Sequence, residues 1–82
     1  MILTKSQAES VYLAICHLNN TRINVAGLTM EFFVDVDGET KRIQVFETSG
    51  GRIRISYGGG ILSREREEHA TLNEFFKHYF AS

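Results

Sequence analysis

The stretch Ile23–Glu47, INVAGLTMEFFVDVDGETKRIQVFE, decides how this 82-residue chain folds. It reads as a long β-hairpin turning at Asp37-Gly38, because a two-residue type I′ turn needs positive φ at both central positions, which Asp-Gly supplies. That turn pairs residues whose numbers sum to 75, as 37 and 38 do. Phe32 then faces Ile43, Met30 faces Val45 and Val34 sits opposite Lys41 on one side of the ribbon. Phe33 faces Arg42, Glu31 faces Gln44 and Thr29 faces Phe46 on the other. Side chains alternate across a strand with period two, so the first set makes an apolar face and the second a mixed one.

Working outward, Arg52–Tyr57 alternates as well, with Ile53, Ile55 and Tyr57 on one side and Arg52, Arg54 and Ser56 on the other. The isoleucines join Ile43 and Val45 only if the connecting loop holds an odd number of residues, since a slip of one turns the whole strand over. A three-residue loop at Ser49-Gly50-Gly51 sets Val45 opposite Ile55 and Ile43 opposite Tyr57. Beyond Gly58-Gly59-Gly60, residues 61–70 read equally as a solvated helical turn or a charged edge strand.

Helices bracket the strands. Thr4 and Gln7 form a capping box ahead of a helix from Lys5 to Asn19, on which Ala8, Val11, Tyr12, Ile15 and Leu18 make an apolar stripe. Asn19-Asn20 is the expected stop. Thr71 and Glu74 make a second capping box before the aromatic stripe Leu72, Phe75, Phe76, Tyr79 and Phe80. The expectation is a single α+β domain over residues 1–82, ordered α-β-β-β-α. Its antiparallel meander has three strands, or four if residues 61–70 add one, and carries both helices on one face.

Composition limits the function classes. With 43% hydrophobic and 23% charged residues the chain is expected to fold rather than stay disordered. A formal charge of −1 argues against a dedicated binder of duplex DNA, whose affinity comes mostly from neutralising phosphates. The lone Cys16 cannot form an internal disulfide, and no apolar run is long enough for a membrane span or a signal-peptide core. A cytoplasmic location without membrane contact is the expectation, and the Asn19-Asn20-Thr21 sequon is then coincidental.

The mixed face of the sheet is the candidate partner-binding surface, gathering Phe33, Arg42, Phe46, Arg52 and Arg54 beside Glu31 and Asp35. Arginine beside aromatic rings is a frequent composition of recognition surfaces. The segment Glu39–Tyr57 also holds four basic residues (Lys41, Arg42, Arg52, Arg54) against two acidic ones (Glu39, Glu47). Another protein, or a second copy in a homodimer, is the expected partner. Single-stranded nucleic acid is the alternative, with bases on the rings and phosphates on the arginines. An ordinary solvent face with cross-strand Phe–Arg pairs is the plain reading. The aromatic stripe Phe75, Phe76, Tyr79 and Phe80 reads as core, with a ring left over for docking.

No catalytic, metal or cofactor motif emerges, so a non-enzymatic protein without a cofactor is expected. His17, His69 and His78 are scattered, and Glu74 and His78, one helical turn apart, read as a surface ion pair. Glu65, Glu67 and Glu68 alternate with Arg64 and Arg66, which suggests a solvated, self-neutralising face or an acidic docking edge for a basic partner. Cys16 beside His17 points away from it on a helix and reads as a partly buried thiol. Tyr57-Gly58-Gly59-Gly60 lacks the ending of a phosphate-binding loop and reads as a flexible connection. The function expected is that of a small inhibitor or regulator, of the sort encoded by phages and mobile elements, acting by covering a surface of its partner.

Overall fold

A computed structural model of the chain describes residues 2–21, 28–48, 50–57 and 65–81. The elements are α1 (Lys5–Thr21), β1 (Thr29–Val36), β2 (Glu39–Glu47), β3 (Ile53–Tyr57), β4 (Glu65–His69) and α2 (Leu72–Phe80). The four strands form one antiparallel sheet in the order β1-β2-β3-β4, so each pairs with its neighbour in sequence. The beginning of the expected hairpin, Ile23–Gly27, and the glycine connection Gly58–Gly60 lie outside the described residues.

The hairpin forms in the expected register, with Phe32 opposite Ile43, Phe33 opposite Arg42 and Thr29 opposite Phe46. Its turn has Asp37 at φ 51 and Gly38 at φ 82, the doubly positive geometry that matches the twist of the flanking strands. Asp37 is the sole non-glycine with positive φ among the described residues, and Asp is one of the few side chains that tolerate that region. The second connection holds an odd number of residues, as expected. Thr48 and Arg52 are joined by a 2.9 Å backbone hydrogen bond around the three residues between them, with Gly51 at φ 86. Val45 therefore meets Ile55, and Ile43 meets Tyr57.

Of the ambiguous segment 61–70, residues 65–69 are an edge strand, paired residue for residue with β3, while 61–64 lie outside the described residues. Glu65, Arg66, Glu67 and Glu68 make it a highly charged edge, a composition that discourages pairing with other chains.

Both helices pack against the face carrying Ile43, Val45, Ile53 and Ile55. Ala8, Val11 and Ile15 from α1 and Phe75 and Tyr79 from α2 complete a single buried cluster with them. Met30, Phe32 and Val34 border that cluster half-buried. The Thr4 box is complete: its hydroxyl accepts from the Gln7 amide at 3.1 Å, and the Gln7 side chain accepts from the Thr4 amide at 3.0 Å. Helix α1 runs on past the expected stop to Thr21. At α2 the Thr71 hydroxyl accepts from the Glu74 amide, but the Glu74 carboxylate reaches one residue further back, to the Ala70 amide. Rings join the two helices, Tyr12 lying 5.2 Å from Phe76 and 6.3 Å from Phe80 between centroids.

Candidate functional site

Alternation pushes two large rings to the side of the sheet away from the helices. Phe33 is 65% exposed and Phe46 45%, whereas Ile43 and Ile55 on the opposite face are buried. A buried side chain of this size gains roughly 1.5–3 kcal/mol from leaving water, so two exposed rings on one face forgo a substantial stabilisation.

The five sequence-selected residues share this face but not one cluster. Phe46 and Phe33 belong to adjacent strands and lie four positions apart along the ladder, since Phe46 opposes Thr29. At about 3.3 Å per residue that is roughly 14 Å, too far for ring contact. Phe46, Arg52 and Arg54 gather at one end around Glu68. The Arg54 Nε donates to Glu68 Oε1 at 2.9 Å, and the Arg52 guanidinium lies 3.8 Å from the same oxygen. Phe33 and Arg42 hold the other end, where Arg42 stands 3.7 Å from Glu31. Gln44 also donates to Glu31, at 3.4 Å.

An open concavity of about 660 Å³ lies at the Phe46 end. Gln44, Phe46, Arg54, Ser56, Arg66 and Glu68 contribute to its wall. Arg66 and Glu68 are members that sequence reasoning missed, because they become neighbours of Ser56 and Arg54 only once residues 65–69 are a strand. They also change the electrostatics. The positive charge expected over Glu39–Tyr57 is offset on this face by carboxylates from β1 and β4, giving Arg42, Arg52, Arg54 and Arg66 against Glu31, Asp35 and Glu68.

On the other side of β4 the structure assembles a group that the sequence left dispersed. Glu67 and His69, two apart on one strand, both point toward α2, and His78 and Tyr79 of α2 meet them there. Glu67 does not belong to a solvated face: its side chain is 15% exposed and accepts 2.6 Å hydrogen bonds from the Tyr79 hydroxyl and from the Ile2 amide. Two of the three histidines are not scattered, since the His69 and His78 rings lie 4.8 Å apart, while His17 stays apart and exposed on α1. His78 faces Glu67 at 3.9 Å, not Glu74, whose carboxylate is engaged with Ala70. His69 Nε2 lies 3.3 Å from Glu67 Oε2, and its ring meets Phe75 edge-on at 5.6 Å.

Burial by itself would raise the Glu67 carboxyl. The bonds from Tyr79, Ile2 and His69, with His78 nearby, outweigh that and hold it below the ordinary carboxylate value. Burial and the neighbouring Glu67 carboxylate push the Tyr79 phenol well above its ordinary value. The pair is thus a phenol donating to a carboxylate throughout the neutral range. The signal that would have found this group is the i, i+2 spacing of Glu67 and His69, readable only with β4 already assigned as a strand.

Cys16 is half-buried, as expected of a structural thiol. No helix among the described residues is long and apolar enough to cross a membrane. In comparisons with known proteins the chain matches no family model, no curated protein and no solved structure.

Proposed function

We propose that the chain is a protein-binding module whose open sheet face, anchored by Phe33 and Phe46, covers a surface of another protein. The observation that carries this reading is the pairing of two exposed rings with arginines already compensated on the same face. Exposed ion pairs contribute only about 0–1 kcal/mol, so a partner can replace Glu31 or Glu68 as a guanidinium's counter-ion at little cost. The rings supply apolar area and the arginines supply orientation, a division typical of recognition surfaces. Function then follows from occupation: an inhibitor or regulator of this kind needs no catalytic group, only a face that excludes other ligands from its partner.

Single-stranded nucleic acid is the less favoured occupant. A phosphate-binding platform draws its affinity from uncompensated cations, and four arginines against three carboxylates leave almost no excess.

The experiment compares wild type with the double variant Phe33→Ser, Arg54→Glu as immobilised bait in a lysate, with circular dichroism confirming that both are folded. Native mass measurement then identifies whether a captured species is another protein or a second copy of this chain. A specific protein retained by wild type and lost by the double variant supports the reading. Equal recovery by both removes the sheet face. Fluorescence anisotropy with a labelled oligonucleotide at low salt tests the other occupant, and tight, salt-sensitive binding there overturns the protein reading.

A further inference from the structure

We propose that Glu67, His69 and His78 form a binding site for a divalent transition-metal cation of the zinc type, with a fourth coordination position open to water or an external ligand. The donor set comes first. Two imidazoles and one carboxylate are a mixed nitrogen and oxygen set that suits zinc and its neighbours, whereas calcium and magnesium take oxygen ligands almost throughout. Three protein ligands with one vacant position is the arrangement of an open zinc site rather than a closed structural one.

The spacing agrees. Bonds of about 2.0–2.1 Å to a tetrahedral ion place its ligand atoms about 3.3–3.4 Å from one another. Glu67 Oε2 and His69 Nε2 are already 3.3 Å apart, and Glu67 Oε2 and His78 Nε2 are 3.9 Å apart. One ligand atom from each residue can be chosen so that all three lie within 4.8 Å of one another. His69 and Glu67 are held by the strand and by burial. His78 is the adjustable arm, since its side chain is 42% exposed and a small rotation closes the remaining distance.

The surroundings match what such an ion requires. The Tyr79 hydroxyl and the Ile2 amide orient the Glu67 carboxylate from behind, as outer hydrogen bonds orient metal-binding carboxylates elsewhere. His78 already meets the rings of His69 and Tyr79, 4.8 and 4.9 Å away between centroids, and stands 3.9 Å from Glu67, beyond a hydrogen bond. An ion held by all three donors would add a direct link between β4 and α2.

Two titrations of the full chain test the site at neutral pH. In the first, zinc chloride is followed by calorimetry. In the second, cobalt chloride is followed by visible absorption, where a low-coordinate cobalt ion with nitrogen ligands gives a distinct spectrum. The expected result is one ion per chain, a visible cobalt band that zinc displaces, and a thermal midpoint that rises with zinc because the ion binds only the folded state. His78→Ala, which alters an exposed side chain and leaves the Tyr79–Glu67–Ile2 bonds in place, lowers the affinity at least tenfold and removes the zinc-dependent rise. His17→Ala, outside the cluster, leaves both unchanged. Equal binding by wild type and the His78→Ala variant overturns the proposal, as does the absence of any cobalt band with wild type. Glu67→Gln gives a second reading of the carboxylate's part, provided that circular dichroism shows it folded. Failure here leaves the sheet-face reading untouched, because the two sites share no side chain.

Discussion

The hydroxyl of Tyr79 donates a 2.6 Å hydrogen bond to the carboxylate of Glu67, joining the last helix to the outermost strand. The same hydroxyl accepts from the Leu3 amide at 3.3 Å, and the other oxygen of Glu67 accepts from the Ile2 amide. One phenol and one carboxylate thus fasten the start of the chain, β4 and α2 to each other.

Tyr79→Phe should therefore destabilise the fold more than its small change in volume suggests. Removing a buried donor to a charged acceptor costs about 1.5–3 kcal/mol, and the Leu3 amide loses its acceptor as well. Urea unfolding at neutral pH measures the difference. A loss below about 0.5 kcal/mol would mean that the bond contributes little in solution.

The pH dependence of stability follows from the same pair. Glu67 has a lowered pKa in the folded state, so its contribution is present above the ordinary carboxylate value of 4.5. It fades as pH falls from there through the folded value, because the unfolded chain takes up the proton first. Tyr79 is raised, so its contribution is present below its ordinary value of 10.0 and is lost as pH rises beyond that. Unfolding midpoints recorded across both ranges should show wild type losing stability at each end. Tyr79→Phe should have a flatter alkaline limb and Glu67→Gln a flatter acid limb. Parallel curves for all three proteins would contradict the assignment.

Side-chain alternation in β1–β3 predicts opposite outcomes for substitutions on the two faces. Ile55→Ala, at a fully buried position, should cost about 2–5 kcal/mol by lost transfer energy and an unfilled cavity. Phe33→Ser, on the exposed side, should change stability by less than about 1 kcal/mol. Chemical denaturation of the two single variants is sufficient. Similar losses would place Phe33 in a packed environment and remove it as a contact residue.

At the hairpin turn, Gly38→Ala should destabilise by about 1 kcal/mol purely through backbone conformation. A Cβ there meets nothing within 4 Å, but φ is +82, where L-residues are strained. Asp37→Asn should be nearly neutral, since asparagine tolerates the same region. Thermal melts of both variants check this, and an unperturbed Gly38→Ala protein would argue against the type I′ turn.

Much of this architecture was legible from local rules. Asp37-Gly38 set the β1–β2 register, parity of the second loop set β3, and two capping sequences marked where the helices begin, because each of these features depends on residues close in the chain. The residues pushed to the open face, Phe33, Arg42, Phe46, Arg52 and Arg54, follow from alternation alone. What local rules could not supply was the role of residues 65–69, whose dense charge suits a helix surface and a strand edge equally well. Pairing with β3 decided it, and that single decision relocated several side chains. It brought Glu68 to the arginines and Arg66 to the concavity, and turned Glu67 and His69 inward to meet His78 and Tyr79. Sequence by itself determined the periodicities, since they are properties of the backbone's own repeat. Only the tertiary structure decided which distant ionisable groups share a low-dielectric site, because such proximity depends on how sheet and helix close over the core and is encoded in no short stretch.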